Sequence, residues 1–118
     1  MSTKLLHHAN ESRPWGTFEQ FTLNEPTTVK TISVHAGKKL SLQTHKNRDE
    51  FWLIIGGSGL VTVGDNVTRA RVGDQFFVPR DTPHRAEGGD ETLSFLEISF
   101  GTFDEHDEVR IKDDYGRA

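Results

Sequence analysis

Short alternating segments, separated by regular turn signals, constrain the fold of this chain more than any other sequence feature. From Thr17 onward the apolar residues recur with a period of two, which is the period of a β-strand that buries one face. Turn-forming glycine, aspartate and asparagine residues interrupt the pattern at positions 37, 56–57, 64–66, 73–74 and 88–90. No amphipathic helix longer than a turn or two is indicated. Many short strands with turns at this spacing predict an all-β sandwich or barrel.

The same pattern assigns individual strands between residues 18 and 100. The predicted strands are residues 18–23, 28–35, 40–44, 50–55, 60–63, 67–72, 75–78, 85–87 and 92–100. The polar segment 1–12 shows no such alternation and is expected to form a loose N-terminal arm. With 118 residues, the whole chain, 1–118, is expected to be a single domain with one core.

Composition and charge argue against several classes of partner and location. The net charge of −4 and the lack of a Lys/Arg cluster argue against a nucleic acid or an anionic membrane surface as partner. No apolar run approaches the roughly 20 residues of a membrane span, and the N-terminal sequence has no signal-peptide core. The chain has no cysteine, so it has no disulfide framework and no thiolate site. We therefore expect a cytoplasmic protein.

The segment 37–57 contains three potential metal ligands. Gln43 and His45 are two residues apart, so on a strand both side chains leave the same face. Glu50 follows the polar, turn-like tetrad KNRD and begins the next apolar run. A hairpin folded at residues 46–49 would bring Glu50 back beside His45. This arrangement predicts a site on the inner face of the sheet.

A fourth potential ligand, His84, lies in the segment 73–88 after Pro83. Histidine is the commonest metal ligand because its neutral ring offers a nitrogen lone pair near neutral pH. A single buried histidine is more often a hydrogen-bonded structural residue than a ligand. Three other converging candidates reverse that preference here, so His84 is predicted to complete the site.

The two segments together resemble the paired motifs of the cupin superfamily. Gly37, His45, Glu50 and Gly57 match the first motif, and Gly73, Pro79 and His84 match the second, which is seven of ten motif positions at the expected spacing. The departures are Gln43 for the first histidine, Asp81 for a glycine and Gly88 for an asparagine. The last two fall in turns, where they are tolerated. Gln43 replaces imidazole with a weaker, harder oxygen ligand.

The string Leu-Ser-Leu-Gln-x-His is similar to the cupin domain of type II mannose-6-phosphate isomerases, and the likeness spans nearly the whole chain. The opening residues 13–16 (RPWG) and the closing residues 109–111 (VRI) and 113–117 (DDYGR) match that family's end motifs. Ser99 stands where the family usually has glutamine, and threonines precede Val29 in place of a Tyr-Lys pair. The resemblance implies a small double-stranded β-helix, that is, a cupin or jelly-roll barrel.

The resemblance also implies a chemistry. Gln43, His45, Glu50 and His84 would bind one divalent ion, with zinc expected first and cobalt, manganese, magnesium, nickel or iron as alternatives. The ion would polarise the carbonyl of an open-chain sugar during aldose–ketose isomerisation. The catalytic candidates are Arg85 and Glu97, and the candidates for phosphate binding are Lys30 and Arg110.

Three functions follow as hypotheses from the same residues. The first is a metal-dependent isomerase that interconverts mannose 6-phosphate and fructose 6-phosphate through an enediol. The second is another metal cupin enzyme, such as a dioxygenase that uses iron, which Gln43 disfavours. The third is a non-catalytic sugar-binding or accessory cupin. A sugar phosphate is the expected small-molecule partner, and the resemblance to small cupins implies a homodimer formed through an edge strand, which would also cover an exposed sheet edge.

Overall fold

The computed structural model describes residues 5–104 and 106–112, and this part of the chain contains β-strands but no helix. The strands are β1 (Ala9–Arg13), β2 (Gly16–Gln20), β3 (Thr27–Val34), β4 (Leu42–Thr44), β5 (Arg48–Gly56), β6 (Ser58–Val63), β7 (Asn66–Arg71), β8 (Gln75–Val78), β9 (His84–Gly88), β10 (Leu93–Gly101) and β11 (Val109–Lys112). The all-β prediction is therefore confirmed. Across the described ranges there is no helix long and apolar enough to span a membrane.

The strands form two large antiparallel sheets and one small hairpin. The first large sheet has the order β3-β10-β5-β8, and the second has the order β11-β4-β9-β6-β7. β1 and β2 pair only with each other among the described strands. The core comprises buried apolar side chains from both sheets, namely Val34, Trp52, Ile54, Val61, Ala70, Val78, Ala86, Leu93 and Phe95.

Two strands were missing from the sequence prediction, β1 and β11. The segment 1–12, expected to be a loose arm, contains all of β1 except Arg13, and the side chains of β1 are mostly exposed and polar, so no buried face produces an alternating pattern. β1 pairs with β2 in a register from Ala9–Gln20 to Arg13–Gly16, so backbone hydrogen bonds define this hairpin. In β11 the apolar residues Val109 and Ile111 are exposed, which hides the strand from a search for buried apolar residues.

The predicted hairpin at residues 46–49 is wrong. β4 pairs with β9 and β11, whereas β5 pairs with β10 and β8 in the other sheet. The chain therefore crosses from one sheet to the other between Thr44 and Arg48. His45 and Glu50 still meet, because they face each other across the interior of the barrel and not along a shared hairpin.

The interior of the barrel is apolar at one end and polar at the other. Along β5 the inward side chains run from Arg48 and Glu50 to Trp52 and Ile54, all buried. β10 repeats this order in the opposite direction, from the apolar Leu93 and Phe95 to the polar Glu97 and Ser99. Trp52 and Phe95 stack with ring centroids 4.4 Å apart and separate the two zones. The polar end is where a site can form.

We predict that Gly57→Ala destabilises the fold more than Gly37→Ala. Both glycines have a positive φ, 69° at Gly57 and 75° at Gly37, which costs other residues about 1–2 kcal/mol. A Cβ at Gly57 would also overlap the backbone carbonyl of Thr92, whereas one at Gly37 would meet open space. This overlap should add about 1–3 kcal/mol, measurable by urea unfolding. Equal losses in the two variants would contradict the close approach at Gly57.

Candidate metal centre

A cavity of about 220 Å³ opens at the polar end of the barrel. Its lining comes from both large sheets and from the connection between β10 and β11: Lys30, Ile32, Leu40, Ser41, Gln43, His45, Arg48, Glu50, Trp52, His84, Glu97, Glu108 and Arg110. The volume is below the roughly 300–1,000 Å³ of pockets for drug-sized ligands, so the cavity suits a small metabolite.

Three buried side chains converge at the base of this cavity. His45 follows β4, Glu50 lies in β5 and His84 begins β9, and their ligand atoms all lie within 4.8 Å of one another. His45 Nε2 is 3.4 Å from Glu50 Oε2, and His84 Nε2 is 3.8 Å from Glu50 Oε1. The structure thus brings together three of the four residues predicted from the sequence as ligands.

Both histidines present the same ring nitrogen to the centre of the cluster. His45 Nδ1 lies 2.7 Å from the carbonyl oxygen of Asp107, and His84 Nδ1 lies 2.8 Å from that of Thr82. A carbonyl oxygen can only accept, so each Nδ1 is the donor and carries the ring proton when the ring is neutral. The Nε2 lone pairs therefore face Glu50, which is the arrangement of metal-ligating histidines.

Glu50 is ionised although it is almost completely enclosed. Burial raises the pKa of Glu50, but electrostatic interaction with the His84 and His45 rings and hydrogen bonds from Arg48 and Trp52 outweigh it and lower the pKa overall. Arg48 Nε donates to Oε2 over 2.9 Å, and Trp52 Nε1 donates to Oε1 over 3.0 Å. The carboxylate is thereby held in one orientation, with both oxygens towards the cluster.

The donor set fits a divalent metal ion. Burial lowers the pKa of His84 more than the Glu50 carboxylate raises it, so this ring is neutral at neutral pH and its Nε2 can act as a ligand. Two imidazole nitrogens and a carboxylate are ligands that zinc and related ions accept. Arg48 Nη2 lies 3.2 Å from His45 Nε2, so a bound ion would take over this lone pair from the guanidinium.

Gln43 lines the same cavity, on β4 opposite His84 of β9. Its amide nitrogen lies 3.5 Å from the carbonyl oxygen of Ser41, which leaves the amide oxygen as the end able to bind a cation. The role of Gln43 as the fourth ligand stays a prediction.

Glu97 lies beside the cluster, on the cavity wall formed by β10. Burial, the charge of Glu50 and the hydrogen bond between the two carboxyl groups raise the pKa of Glu97 to about 8. Glu97 is therefore mostly protonated at neutral pH, with a pKa close to the range in which a proton carrier works best.

The two predicted phosphate-binding residues line the cavity from opposite sheets. Lys30 projects from β3, with its Nζ 4.2 Å from the ring centroid of Phe103. Arg110 projects from β11, with its Nε 2.6 Å from Glu108 Oε2. Although the chain is acidic overall, the cavity thus has a cation on each of two facing walls.

The predicted catalytic role of Arg85 does not agree with its position. Arg85 follows His84 on β9, and successive side chains of a strand leave opposite faces. Since His84 faces the cavity, Arg85 is absent from its lining and donates through Nε to the carbonyl oxygen of Leu40 over 3.1 Å. The structure therefore does not bring Arg85 together with the cluster, and its catalytic role stays a prediction.

Arg48 is the site residue that the sequence analysis missed. It is 6% exposed and contacts Glu50, His45 and the carbonyl oxygen of Asp104. A signal was present: Arg48, Glu50 and Trp52 are two residues apart, so a strand that points Glu50 inward also points Arg48 inward. The tetrad KNRD was interpreted as a turn, and this hid the arginine.

The chain is similar to known proteins over nearly all of its length. Residues 2–114 match the family described as Mannose-6-phosphate isomerase C-terminal. The chain belongs to this family. Of the end motifs predicted from the sequence, the opening residues 13–16 connect β1 to β2. The closing residues 113–117 lie outside the described residues.

The relatives of this chain are longer proteins, and the chain matches only part of each. It is 35% identical to the xanthan biosynthesis protein XanB of Xanthomonas campestris pv. campestris (strain B100) over 94% of its own length and 24% of XanB. It is 33% identical to the mannose-1-phosphate guanylyltransferase ManC of Salmonella typhimurium (strain LT2), and 32% identical to the alginate biosynthesis protein AlgA of Pseudomonas aeruginosa. Each of these two matches covers 95% of this chain and 24% of the relative, so the chain spans about a quarter of these proteins.

Solved structures confirm the predicted barrel. Rru_A2000 from Rhodospirillum rubrum, a cupin-2 domain, superposes with a TM-score of 0.63 at 20% identity, over 91% of this chain and 82% of that one. A double-stranded β-helix protein from Klebsiella pneumoniae gives a TM-score of 0.63 at 20% identity, over 71% of this chain and 73% of that one. At 20% sequence identity this similarity establishes the fold alone, which is the cupin fold.

We predict that this protein, when purified, contains near-stoichiometric divalent metal, and that the His84→Ala and Glu50→Gln variants each lose most of it. His84→Ala removes a ligand outright, and Glu50→Gln replaces the one carboxylate of the cluster with a neutral amide, so both variants should bind the ion weakly. Elemental analysis by mass spectrometry measures the content. His35→Ala, at an exposed histidine outside the cluster, is the matched control and should retain the metal. Equal metal content in His84→Ala and wild type would remove His84 from the site.

Proposed function

We propose that this chain is a metal-dependent sugar-phosphate isomerase that interconverts mannose 6-phosphate and fructose 6-phosphate through an enediol. One observation carries the proposal: a single small cavity contains the His45–Glu50–His84 cluster, the carboxyl of Glu97 and cations on facing walls. These are the groups needed to hold an open-chain sugar phosphate and to move a proton between neighbouring carbons. The names of the relatives, which refer to mannose 1-phosphate and to polysaccharide synthesis, support the substrate class.

In this proposal Lys30 and Arg110 bind the phosphate. A phosphate monoester carries between one and two negative charges near neutral pH, so it needs local cations within this acidic chain. Because β3 and β11 belong to different sheets, the two residues approach the phosphate from opposite sides. Arg110 would exchange its contact with Glu108 for the phosphate, and Lys30 would move off the face of the Phe103 ring.

The residues that would hold the ion are His45, Glu50 and His84, with Gln43 as a fourth ligand. When bound, a divalent ion supplies a Lewis acid that polarises the sugar carbonyl. Trp52 and Arg48 orient Glu50 by one hydrogen bond to each carboxylate oxygen. Arg48 also places a permanent positive charge in the cavity, which stabilises negative charge on an enediolate oxygen.

Glu97 is proposed as the proton carrier. Its carboxylate form takes the proton from C2 of open-chain mannose 6-phosphate, and the C1 carbonyl becomes part of the enediol. Glu97 then returns the proton to C1, while the proton of the O2 hydroxyl passes to O1, so that C1 carries a hydroxyl and C2 becomes the carbonyl of fructose 6-phosphate. One group can serve both carbons because they are adjacent.

A second candidate function is binding of a sugar phosphate without turnover. The observation that favours it is the position of Arg48, whose guanidinium already pairs with Glu50 and His45 within the cluster. An arginine in this position satisfies the polar atoms of the cluster without any ion, so the cavity would bind a sugar phosphate through its other groups and not catalyse its conversion. Turnover of mannose 6-phosphate with zinc, cobalt, manganese or magnesium would support the isomerase. Sugar-phosphate binding without turnover for any of these ions would overturn the isomerase in favour of the binding domain.

We predict that Glu97→Gln lowers kcat by about 10²–10⁴-fold, the usual contribution of a positioned acid or base. The glutamine keeps the shape of the side chain but cannot carry the proton. Metal content should remain at the wild-type level. Glu91→Gln, at an exposed glutamate outside the cavity, is the matched control and should leave kcat unchanged. A fully active Glu97→Gln variant would exclude Glu97 as the proton carrier.

We predict that Lys30→Met raises KM for mannose 6-phosphate about tenfold with a small effect on kcat, because it removes one charge-assisted contact to a non-reacting group. Steady-state kinetics separates the two parameters. Lys38→Met, at an exposed lysine outside the cavity, should not change KM. An unchanged KM in Lys30→Met would show that the phosphate binds elsewhere.

A further inference from the structure

The two histidines of the cluster are held by different means. His84 lies within β9, where it pairs with Gln43 of β4 and Val63 of β6, and its Nδ1 donates to Thr82 two residues earlier. His45 lies outside the strands, just after β4 ends at Thr44. Its Nδ1 partner, the carbonyl of Asp107, is 62 residues away in the sequence. The orientation of His45 therefore depends on a distant segment.

Asp107 contacts the chain around His45 at three points. Its carbonyl oxygen accepts from His45 Nδ1 over 2.7 Å. Its carboxylate oxygens accept from the backbone N–H groups of Lys46, over 3.0 Å, and of Asn47, over 2.8 Å. These two N–H groups follow His45 directly, where the chain crosses between the sheets. The carboxylate thus fixes both the backbone that carries His45 and the carbonyl that orients its ring.

We infer that Asp107 is a positioning residue of the metal centre: its carboxylate anchors the β10–β11 connection to the segment after His45, and this keeps His45 Nε2 as the ligand nitrogen. The inference rests on the proposed metal centre. Asp107 itself need not touch the ion or the substrate. The backbone carbonyl that orients His45 remains in any substitution at position 107, so the side chain acts by keeping that carbonyl in place.

Substitution of Asp104, three residues before Asp107, provides a matched control. Asp104 lies in the same connection, and its carboxylate accepts from the N–H of His106, within its own turn. Asp107 N donates to the carbonyl of Asp104 over 3.0 Å, so both aspartates belong to one turn. Asp104→Ala thus removes a carboxylate from the same turn but leaves the contacts to Lys46 and Asn47 intact.

Two measurements on wild type, Asp107→Ala and Asp104→Ala test the inference. Competition with a chelator measures zinc affinity, and ring-nitrogen NMR shifts of the metal-free proteins report the tautomer of His45, with its signal assigned by its loss in His45→Gln. Asp107→Ala should lower zinc affinity about 10–100-fold, the usual effect of losing an outer contact that orients a ligand. In the metal-free protein it should change His45 from a single Nδ1–H tautomer to a mixture. Asp107→Asn keeps one acceptor oxygen and should recover part of both effects.

Asp104→Ala should match wild type in both measurements. Unchanged zinc affinity and an unchanged His45 tautomer in Asp107→Ala would overturn the inference. Equal losses in the two alanine variants would also overturn it, because the effect would then belong to the turn and not to the Asp107 carboxylate. If wild type binds no zinc, the metal centre fails, whereas the tautomer in metal-free Asp107→Ala still decides whether Asp107 positions His45.

Discussion

The rest of this structure depends on the contacts that surround the enclosed carboxylate of Glu50. An isolated carboxylate inside a protein costs several kcal/mol of lost hydration, so it persists only where charges and hydrogen bonds surround it. Here Arg48 and Trp52 supply the hydrogen bonds, while His45 and His84 face the remaining side. These partners come from two strands, β5 and β9, and from the crossover that carries His45, so the barrel must close before Glu50 can be ionised inside it.

This requirement explains how the barrel divides its interior. Trp52 belongs to both zones: its ring stacks on Phe95 in the apolar core, and its Nε1 donates to Glu50 in the polar cavity. The apolar end stabilises the fold through burial, whereas the polar end uses the same strands to hold titratable groups at fixed distances. Glu97 illustrates the result, because its pKa is raised by burial and by the neighbouring Glu50 charge. The same short strands thus provide both a stable core and a cavity that holds several titratable groups close together.

Much of the fold and most of the site could be predicted from the sequence, and the misses have physical causes. The alternating pattern revealed the strands with a buried face, but β1 and β11 escaped because they bury little apolar surface. Motif spacing indicated that His45, Glu50 and His84 come together, although the crossing of the chain from one sheet to the other between β4 and β5 depends on long-range pairing. Arg85 was a candidate because it follows His84, but strand alternation sends neighbours to opposite faces, so Arg85 does not line the described cavity. Asp107 carries no local signal, since its partners lie some 60 residues earlier.

Anomalous diffraction from a crystal grown with zinc or manganese tests the central claim most directly. The metal's absorption edge locates the ion without any assumption about activity. The account predicts one strong peak in the cavity, within bonding distance of His45 Nε2, Glu50 and His84 Nε2, with the Arg48 guanidinium displaced from His45. No peak there at saturating metal, with Arg48 still bonded to both His45 and Glu50, would contradict the account. The cluster would then be a buried ion-pair network and not a metal centre.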